Sequence, residues 1–228
     1  MNISGILNIY KPAGPTSHDI VDKIRKITKI KKVGHAGTLD PFAEGVLIIL
    51  IGQATKLQPK FMKMPKTYLA TLKLGAVSDT YDKTGTISHQ NIEYNNQTIT
   101  KSKIQNILKQ FIGEIKQVPP IFSAIKIKGE KAYELARKGI KPNLKPRKVK
   151  IYDIQLRKYE WPELEIKVKC GKGTYIRSLA NDIGQKLGCG AYLEKLIRTQ
   201  IGKFSTNNSV KVNTLNKENW QRYLMPII

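Results

Sequence analysis

Apolar positions recur at helical spacing in SHDIVDKIRKIT, residues 17–28, where Ile20, Ile24 and Ile27 share one face. Ser17 stands where it can cap the first turn, and Asp19 favours that end of a helix, so an early amphipathic helix is predicted. The run from Val46 to Ile51, short, β-branched and bounded by Gly45 and Gly52, reads as a buried strand. YLATLKL puts Tyr68, Ala70, Leu72 and Leu74 on one face of a second strand, and SDTYDKTG, residues 78–85, has the composition of a turn. TKSKIQNILKQFI aligns Ile104, Ile107, Leu108 and Phe111 behind a Thr100 cap. QVPPIFSAIKIKG reads as a proline turn followed by alternation, and EKAYELARK as a short helix stopped by Gly139. Lysines, arginines and prolines crowd residues 138–150. ELEIKVKC turns Leu164, Ile166, Val168 and Cys170 inward. GKGTYIRSLANDIGQKLG then leads through two glycines into a helix with Ile176, Leu179, Ala180, Ile183 and Leu187 on one face and Gly188 past its end. There is no internal repeat, and strands and helices mix without strict βαβ alternation. The expected class is α+β, around a largely antiparallel sheet.

The length of 228 residues suits one large single-core domain with room for a small insertion. Lys and Arg number 40 against 17 Asp and Glu, a formal charge of +23 spread along the whole chain, and nucleic acid is the natural partner of such a field. Lysine outnumbers arginine 33 to 7, as an AT-biased coding sequence would produce, so composition accounts for part of that excess. The few arginines are correspondingly more informative, because a guanidinium fork makes bonds that an ammonium cannot. Cys170 and Cys189 are too far apart for a metal-ligand pair and have no partner Cys or His pairs, which suits a reducing cytosol and no metal. The longest strongly apolar run is far below a membrane span and the start has no signal pattern, so a soluble protein is expected.

The densest chemistry lies in VGHAGTLDPFAEGVL, residues 33–47. An Asp-Pro step after Gly-Thr-Leu serves as a turn device in many proteins, the carboxylate capping local N–H groups. Here Gly34, Gly37 and Gly45 flank Asp40 and bring backbone close to something on either side, and a loop anchored by a buried strand is also a good platform for catalysis. His35 lacks a serine or cysteine in an elbow motif, so a contact to a polar ligand suits it better than a base role. Tyr68 and Tyr175 are either boundary aromatics or stacking surfaces for a base. Arg177, two residues after Tyr175, requires a carboxylate if buried, and Asp40 would suit it. GKGTYIR leads glycines into a helix N-terminus but has neither P-loop nor GxGxxG spacing.

Together these stretches resemble the bacterial tRNA pseudouridine-55 synthase (TruB) family. GILNIYKPAGPTSHDIV is similar to that family's opening motif and GHAGTLDPFAEGVL to its catalytic motif. KTYLATLKLG, SDTYDKTG, QVPPIFSAIKIKGEKAYELARKG and CGKGTYIRSLANDIGQKLGCGAYLEKLIRTQIG then follow in the family's order, so the likeness runs from residue 5 to about 204. The resemblance implies the pseudouridine synthase fold: a mixed, mostly antiparallel sheet flanked by helices, with a central RNA-binding cleft. It implies conversion of uridine to pseudouridine at position 55 in the T loop of elongator tRNAs, by a cytoplasmic, monomeric protein acting on the T stem-loop. Asp40 matches the catalytic aspartate, Tyr68 the aromatic against the target base, and Arg177 the ion-pair partner of Asp40. His35, Tyr175 and Leu196 match substrate-contacting positions. Lys11 and Pro12 resemble the motif that buttresses the site, and Lys11 is also expected among the substrate-contacting residues. Residues from about 117 to 147 match a mobile RNA-gripping thumb, in which Lys126, Lys128, Arg137 and Lys138 would meet phosphates. Family members continue into a PUA-type domain; this chain ends at RYLMPII, near where that domain begins, so a form of 1–228 without it is expected.

The chemistry suits these residue types. Isomerisation breaks the N1–C1′ bond, turns the uracil in place and joins C5 to C1′, with no net redox or hydrolysis, so neither cofactor nor metal is required. A carboxylate is ionised at neutral pH and has three routes open: attack on C1′, attack on C6, or removal of a sugar proton. A stacked T-loop base must first be flipped out, which costs roughly a few kcal/mol. Two other readings compete. A non-catalytic RNA-binding or tRNA-folding protein explains the charge and aromatics but not the set Asp40, Tyr68 and Arg177. A phosphate-binding metabolic enzyme would have to rest on GKGTYIR alone.

Overall fold

Six consecutive apolar residues, Val46 to Ile51, are all fully buried because both faces of their strand carry a core. Leu47, Ile49 and Ile51 pack with Leu7, Ile9, Ile20, Ile24 and Trp220 on one side. Val46, Ile48 and Leu50 pack with Ile6, Phe61 and Phe204 on the other. Alternate residues of one strand therefore feed two cores, which is why its sequence shows a continuous run instead of alternation.

The computed structural model describes residues 3–90, 97–123, 125–127, 129–140 and 142–227. In chain order the elements are β1 (Gly5–Lys11), α1 (Ser17–Thr28), β2 (Val33–His35), β3 (Glu44–Ile51), α2 (Gln58–Lys63), β4 (Lys66–Leu74), β5 (Ala76–Ser78), β6 (Ile87–His89), α3 (Lys101–Lys109) and β7 (Gly113–Gln117). There follow β8 (Lys126–Ile127), β9 (Glu130–Lys131), α4 (Ala132–Arg137), β10 (Arg147–Glu160), β11 (Glu163–Cys170), α5 (Ile176–Leu187), β12 (Ala191–Ile201), β13 (Phe204–Ser205) and β14 (Val210–Lys211). The chain divides into two compact units, one made of the segments up to Leu69 and from Leu196 onward, the other of Ala70–Lys195.

In the first unit the strand order is β14-β1-β3-β12-β4. β1 runs antiparallel to β3 from the Gly5–Ile51 pair to the Lys11–Gly45 pair. The other edge of β3 is shared: β2 pairs with its Ile49–Ile51 end, and β12 lies parallel to its Glu44–Gly45 end. In the second unit the order is β4-β11-β10-β7, with α3 and α5 supplying the buried residues Ile104, Ile107, Leu108, Ile176, Leu179, Ile183 and Leu187. The sheet is mixed and mostly antiparallel, flanked by helices, as expected.

Most predicted elements are present, with three departures. The cap of α1 is Thr16, which closes a capping box with Asp19, while the expected cap, Ser17, is buried and bonded elsewhere. The helix expected from Glu130 begins at Ala132, because Glu130 and Lys131 pair with Ile127 and Lys126 as a small hairpin. The fourteen-residue β10, β1 and β12 were not foreseen; in β10 two register shifts, at Ile151/Asp153 and Leu156/Lys158, break the alternation that marks a half-exposed strand. Because α1 depends on its capping box, Thr16→Ala is expected to lower stability by about 1 kcal/mol, read from the midpoint of urea denaturation; an unchanged midpoint would show that the box is not holding the helix.

Candidate active site

Asp40 lies on the segment from Ala36 to Ala43, which leaves β2 and returns into β3. Its main chain is held at almost every step. Leu39 N–H donates to Ser17 Oγ at 2.9 Å, and Ser17 Oγ donates back to Leu39 O at 3.0 Å. Pro41 O accepts from Gly14 N–H at 2.9 Å and from Lys11 Nζ at 3.1 Å. Lys11 Nζ also donates to Pro12 O at 2.9 Å and Pro15 O at 2.8 Å, so three carbonyls take its three protons. Arg198 spans the loop from the β12 side: Nε donates to Val46 O at 2.8 Å, and Nη1 and Nη2 to Thr38 O and Gly37 O, each at 3.1 Å.

Lys11 and Arg198 are 0% and 1% exposed, so two cations lie beneath this loop bonded only to carbonyls. Such burial demands nearby negative charge, and Asp40, then Glu44 and Asp19, are the carboxylates whose fields favour the Lys11 ammonium. Gly45 fits the same design: its φ is +109°, and a Cβ there would stand 2.3 Å from Arg198 O. Gly34, by contrast, has open space where a Cβ would be, so the close approach expected of it is absent.

Burial pushes the Lys11 ammonium down to about 8, with Asp40 opposing the shift and Arg198 adding to it. The ammonium is penalised only in the folded chain. That penalty is full below about pH 8 and is relieved as pH rises towards the ordinary lysine value of 10.5. The melting temperature of the native chain, taken relative to Lys11→Met, is therefore expected to rise between pH 8 and 10; a flat difference would contradict a buried ammonium here. His35 is pushed below its ordinary value by burial first, then by Arg198 and His18, so its imidazole is neutral at neutral pH.

Tyr68 is 8% exposed on the buried face of β4, and Leu196 on β12 is likewise buried. Thr199 Oγ1 donates to Thr67 O at 3.2 Å, tying those two strands together. Lys11, expected among substrate contacts as well as in the buttressing motif, is wholly committed to the buttress.

In the second unit Arg177 is buried, donating from Nη2 to Phe122 O at 3.0 Å, and its Nη1 stands 3.4 Å from Asp82 Oδ2. Asp82 is itself fixed, its Oδ1 accepting from Thr80 Oγ1 and Thr84 N–H, both at 2.9 Å, and from Thr84 Oγ1. The stretch read only as a turn therefore supplies a buried carboxylate. Tyr175 is clasped by Gln117, whose Oε1 accepts from Tyr175 N–H at 2.8 Å and whose Nε2 donates to Tyr175 O at 3.1 Å. Ser178 Oγ donates to Val118 O at 2.7 Å. The first turn of α5 thus anchors the segment that begins the expected thumb.

Farther along that segment, Arg137 is exposed with its guanidinium 5.4 Å from the Tyr133 ring centroid. Lys138 is exposed and paired with Glu130 at 3.0 Å, a surface pair contributing roughly 0–1 kcal/mol. Lys128 and the side chain of Lys126 lie outside the described residues. Arg198, Ser17 as a staple, Asp82 and Gln117 carry no motif in the sequence that marks them; the scarcity of arginine is the one signal that points towards Arg198.

The fold that carries this clamped loop is also visible among solved structures. One chain of a Cbf5–Nop10–Gar1 complex superposes with a TM-score of 0.70 and 32% identity, over 92% of this chain and 52% of that one. A chain of an H/ACA RNP bound to a substrate RNA containing 2′-deoxyuridine gives 0.69 and 29%, over 96% and 55%. The fold is that of the pseudouridine synthases, and this chain spans about half the length of those two. In sequence, the model of the TruB family pseudouridylate synthase N-terminal domain matches residues 25–176, and that of the tRNA pseudouridylate synthase B C-terminal domain matches residues 177–228. The tRNA pseudouridine synthase B of Clostridium tetani is 49% identical over 224 residues, 98% of this chain and 76% of that protein. That of Clostridium acetobutylicum is 48% identical, over 95% and 74%. The chain belongs to the TruB family of pseudouridylate synthases.

Proposed function

We propose that this protein is a tRNA pseudouridine synthase that isomerises uridine at position 55 in the T loop, with Asp40 as the catalytic carboxylate. The observation that carries the reading is the loop itself: three carbonyls on Lys11, three on Arg198 and a two-way bond to Ser17 fix the backbone on both sides of Asp40. A reacting group held this rigidly needs little reorganisation at the moment of reaction.

In this reading the target uridine is flipped out of the T loop and its uracil rests against Tyr68. Asp40 acts on the ribosyl or base carbon, or on a sugar proton, and the N1–C1′ bond breaks. The uracil turns, C5 joins C1′, and the C5 proton leaves to solvent while N1 gains one, so atoms balance without redox or hydrolysis. Arg177 keeps the catalytic role that the resemblance implies, fixed by Phe122 O and Asp82, and Tyr175, fixed by Gln117, contacts the substrate. His35 and Leu196 contact the RNA, and Lys126, Lys128, Arg137 and Lys138 meet its phosphates. The protein acts as a monomer in the cytoplasm, without cofactor.

The test is tritium release from C5-labelled uridine in a T-arm hairpin, with an anticodon-arm hairpin as control. Release from the T-arm hairpin alone is expected. No release from the T-arm hairpin, or equal release from both, would contradict the reading.

A further inference from the structure

A cavity of about 310 Å³ opens beside β2, lined among others by Arg25, Lys31, Lys32, Gly34, His35 and Gln58, with no carboxylate among its lining residues. That volume is at the lower end for small-ligand pockets, roughly 300–1,000 Å³. Its walls are set by the fold. Arg25, in the last turn of α1, donates from Nη1 to Asp22 Oδ1 at 2.8 Å and from Nη2 to Val33 O at 2.9 Å. Gln58, at the start of α2, donates from Nε2 to His35 O at 2.9 Å. Lys31 and Lys32 are exposed and form no ion pair among the described residues.

Gly34 adds an independent observation. Its φ lies outside the left-handed region, and no atom lies within 4 Å of an added Cβ. Neither backbone conformation nor the protein's own packing requires glycine there. What a side chain at this position would occupy is room beside the cavity that Gly34 itself lines.

We propose that this cavity, which His35 helps to line, is a subsite for one backbone phosphodiester of the RNA. It rests on the reading that RNA is the substrate. Lys31 and Lys32 supply mobile point charges at its mouth, Arg25 is a fixed cation whose terminal nitrogens are already engaged, and Gly34 keeps the floor open to a tetrahedral phosphate. The absence of acidic lining residues favours an anion, and His35, neutral at neutral pH, adds no repulsion to a neighbouring base. Because a phosphodiester is read as charge and shape, this subsite contributes register and not base identity.

The test uses filter binding of T-arm hairpins in which one phosphate at a time is replaced by a neutral methylphosphonate. The native chain is compared with Lys31→Gln/Lys32→Gln, with Gly34→Val and, as a charge-matched control on α3, with Lys101→Gln/Lys103→Gln. The Lys31/Lys32 variant is expected to bind about 10-fold more weakly, with a log–log salt slope shallower by about 0.7–0.9 for the lost contact, and the control less than about twofold more weakly. One methylphosphonate position should weaken the native chain several-fold yet add nothing in either subsite variant. Equal binding by the Lys31/Lys32 variant, or losses spread evenly over all positions, would overturn the proposal. Millimolar inorganic phosphate displacing the hairpin from the native chain, with no sensitive linkage, would assign the cavity to a small phosphate and overturn it likewise. A sensitive linkage in a protein that forms no pseudouridine would leave the subsite standing and remove the activity.

Discussion

Asp40→Asn is expected to bring pseudouridine formation below detection, at least about 10⁴-fold under the native chain, while the Kd for a T-arm hairpin changes less than about threefold. Asparagine has the shape of aspartate but is neither a nucleophile nor a base at neutral pH. The main chain around it is held by groups the substitution does not touch, Ser17, Lys11 and Arg198, so the loop is expected to keep its place. One change does follow. Asp40 supports the charged form of Lys11, so without it the Lys11 ammonium falls below about 8 and the fold loses some stability at neutral pH. Turnover by a folded Asp40→Asn protein would remove Asp40 from its role.

The second large effect is expected at Arg198. Arg198→Met keeps much of the side chain's bulk but leaves the carbonyls of Gly37, Thr38 and Val46 without their donor. A buried polar group stripped of its partner costs about 1–3 kcal/mol, and three in one place, partly relaxing together, give an expected loss of about 3–5 kcal/mol in denaturant unfolding. Because a displacement of about 1 Å can cost on the order of 100-fold in rate, kcat should fall by about that factor at temperatures where the variant remains folded. Arg198→Lys keeps the charge but not the fork that reaches three carbonyls, and should lie between. A stable, fully active Arg198→Met protein would show that the clamp does not position the loop.

The parts of the fold that were legible in the sequence are those with one dominant period. α1, α3, α5 and β11 each show a clean apolar face, and β3 a run too strongly apolar to be anything but interior. β10 was hidden by its two register shifts, and β12 because buried Arg198 occupies a position where an apolar residue would be read as core. The same limit applies to the site. Asp40 could be singled out because glycines and an apolar strand mark its loop. Its supports could not, since Lys11, Ser17 and Arg198 are 29, 23 and 158 residues away, and pattern reading works within a window. Asp82 was passed over because a buried carboxylate in a Thr- and Gly-rich turn has the same composition as an exposed one. Thr16 and Ser17 are adjacent hydroxyls, and only the three-dimensional position of Leu39 decides which of them caps the helix.

The most direct measurement is to incubate the purified chain with an unmodified, C5-tritiated tRNA transcript and map pseudouridine at single-nucleotide resolution alongside tritium release. The account predicts one modified site, uridine 55 in the T loop, with tritium released in step with its formation and neither seen with Asp40→Asn. Absence of pseudouridine, its formation only at other positions, or equal formation by Asp40→Asn would contradict it.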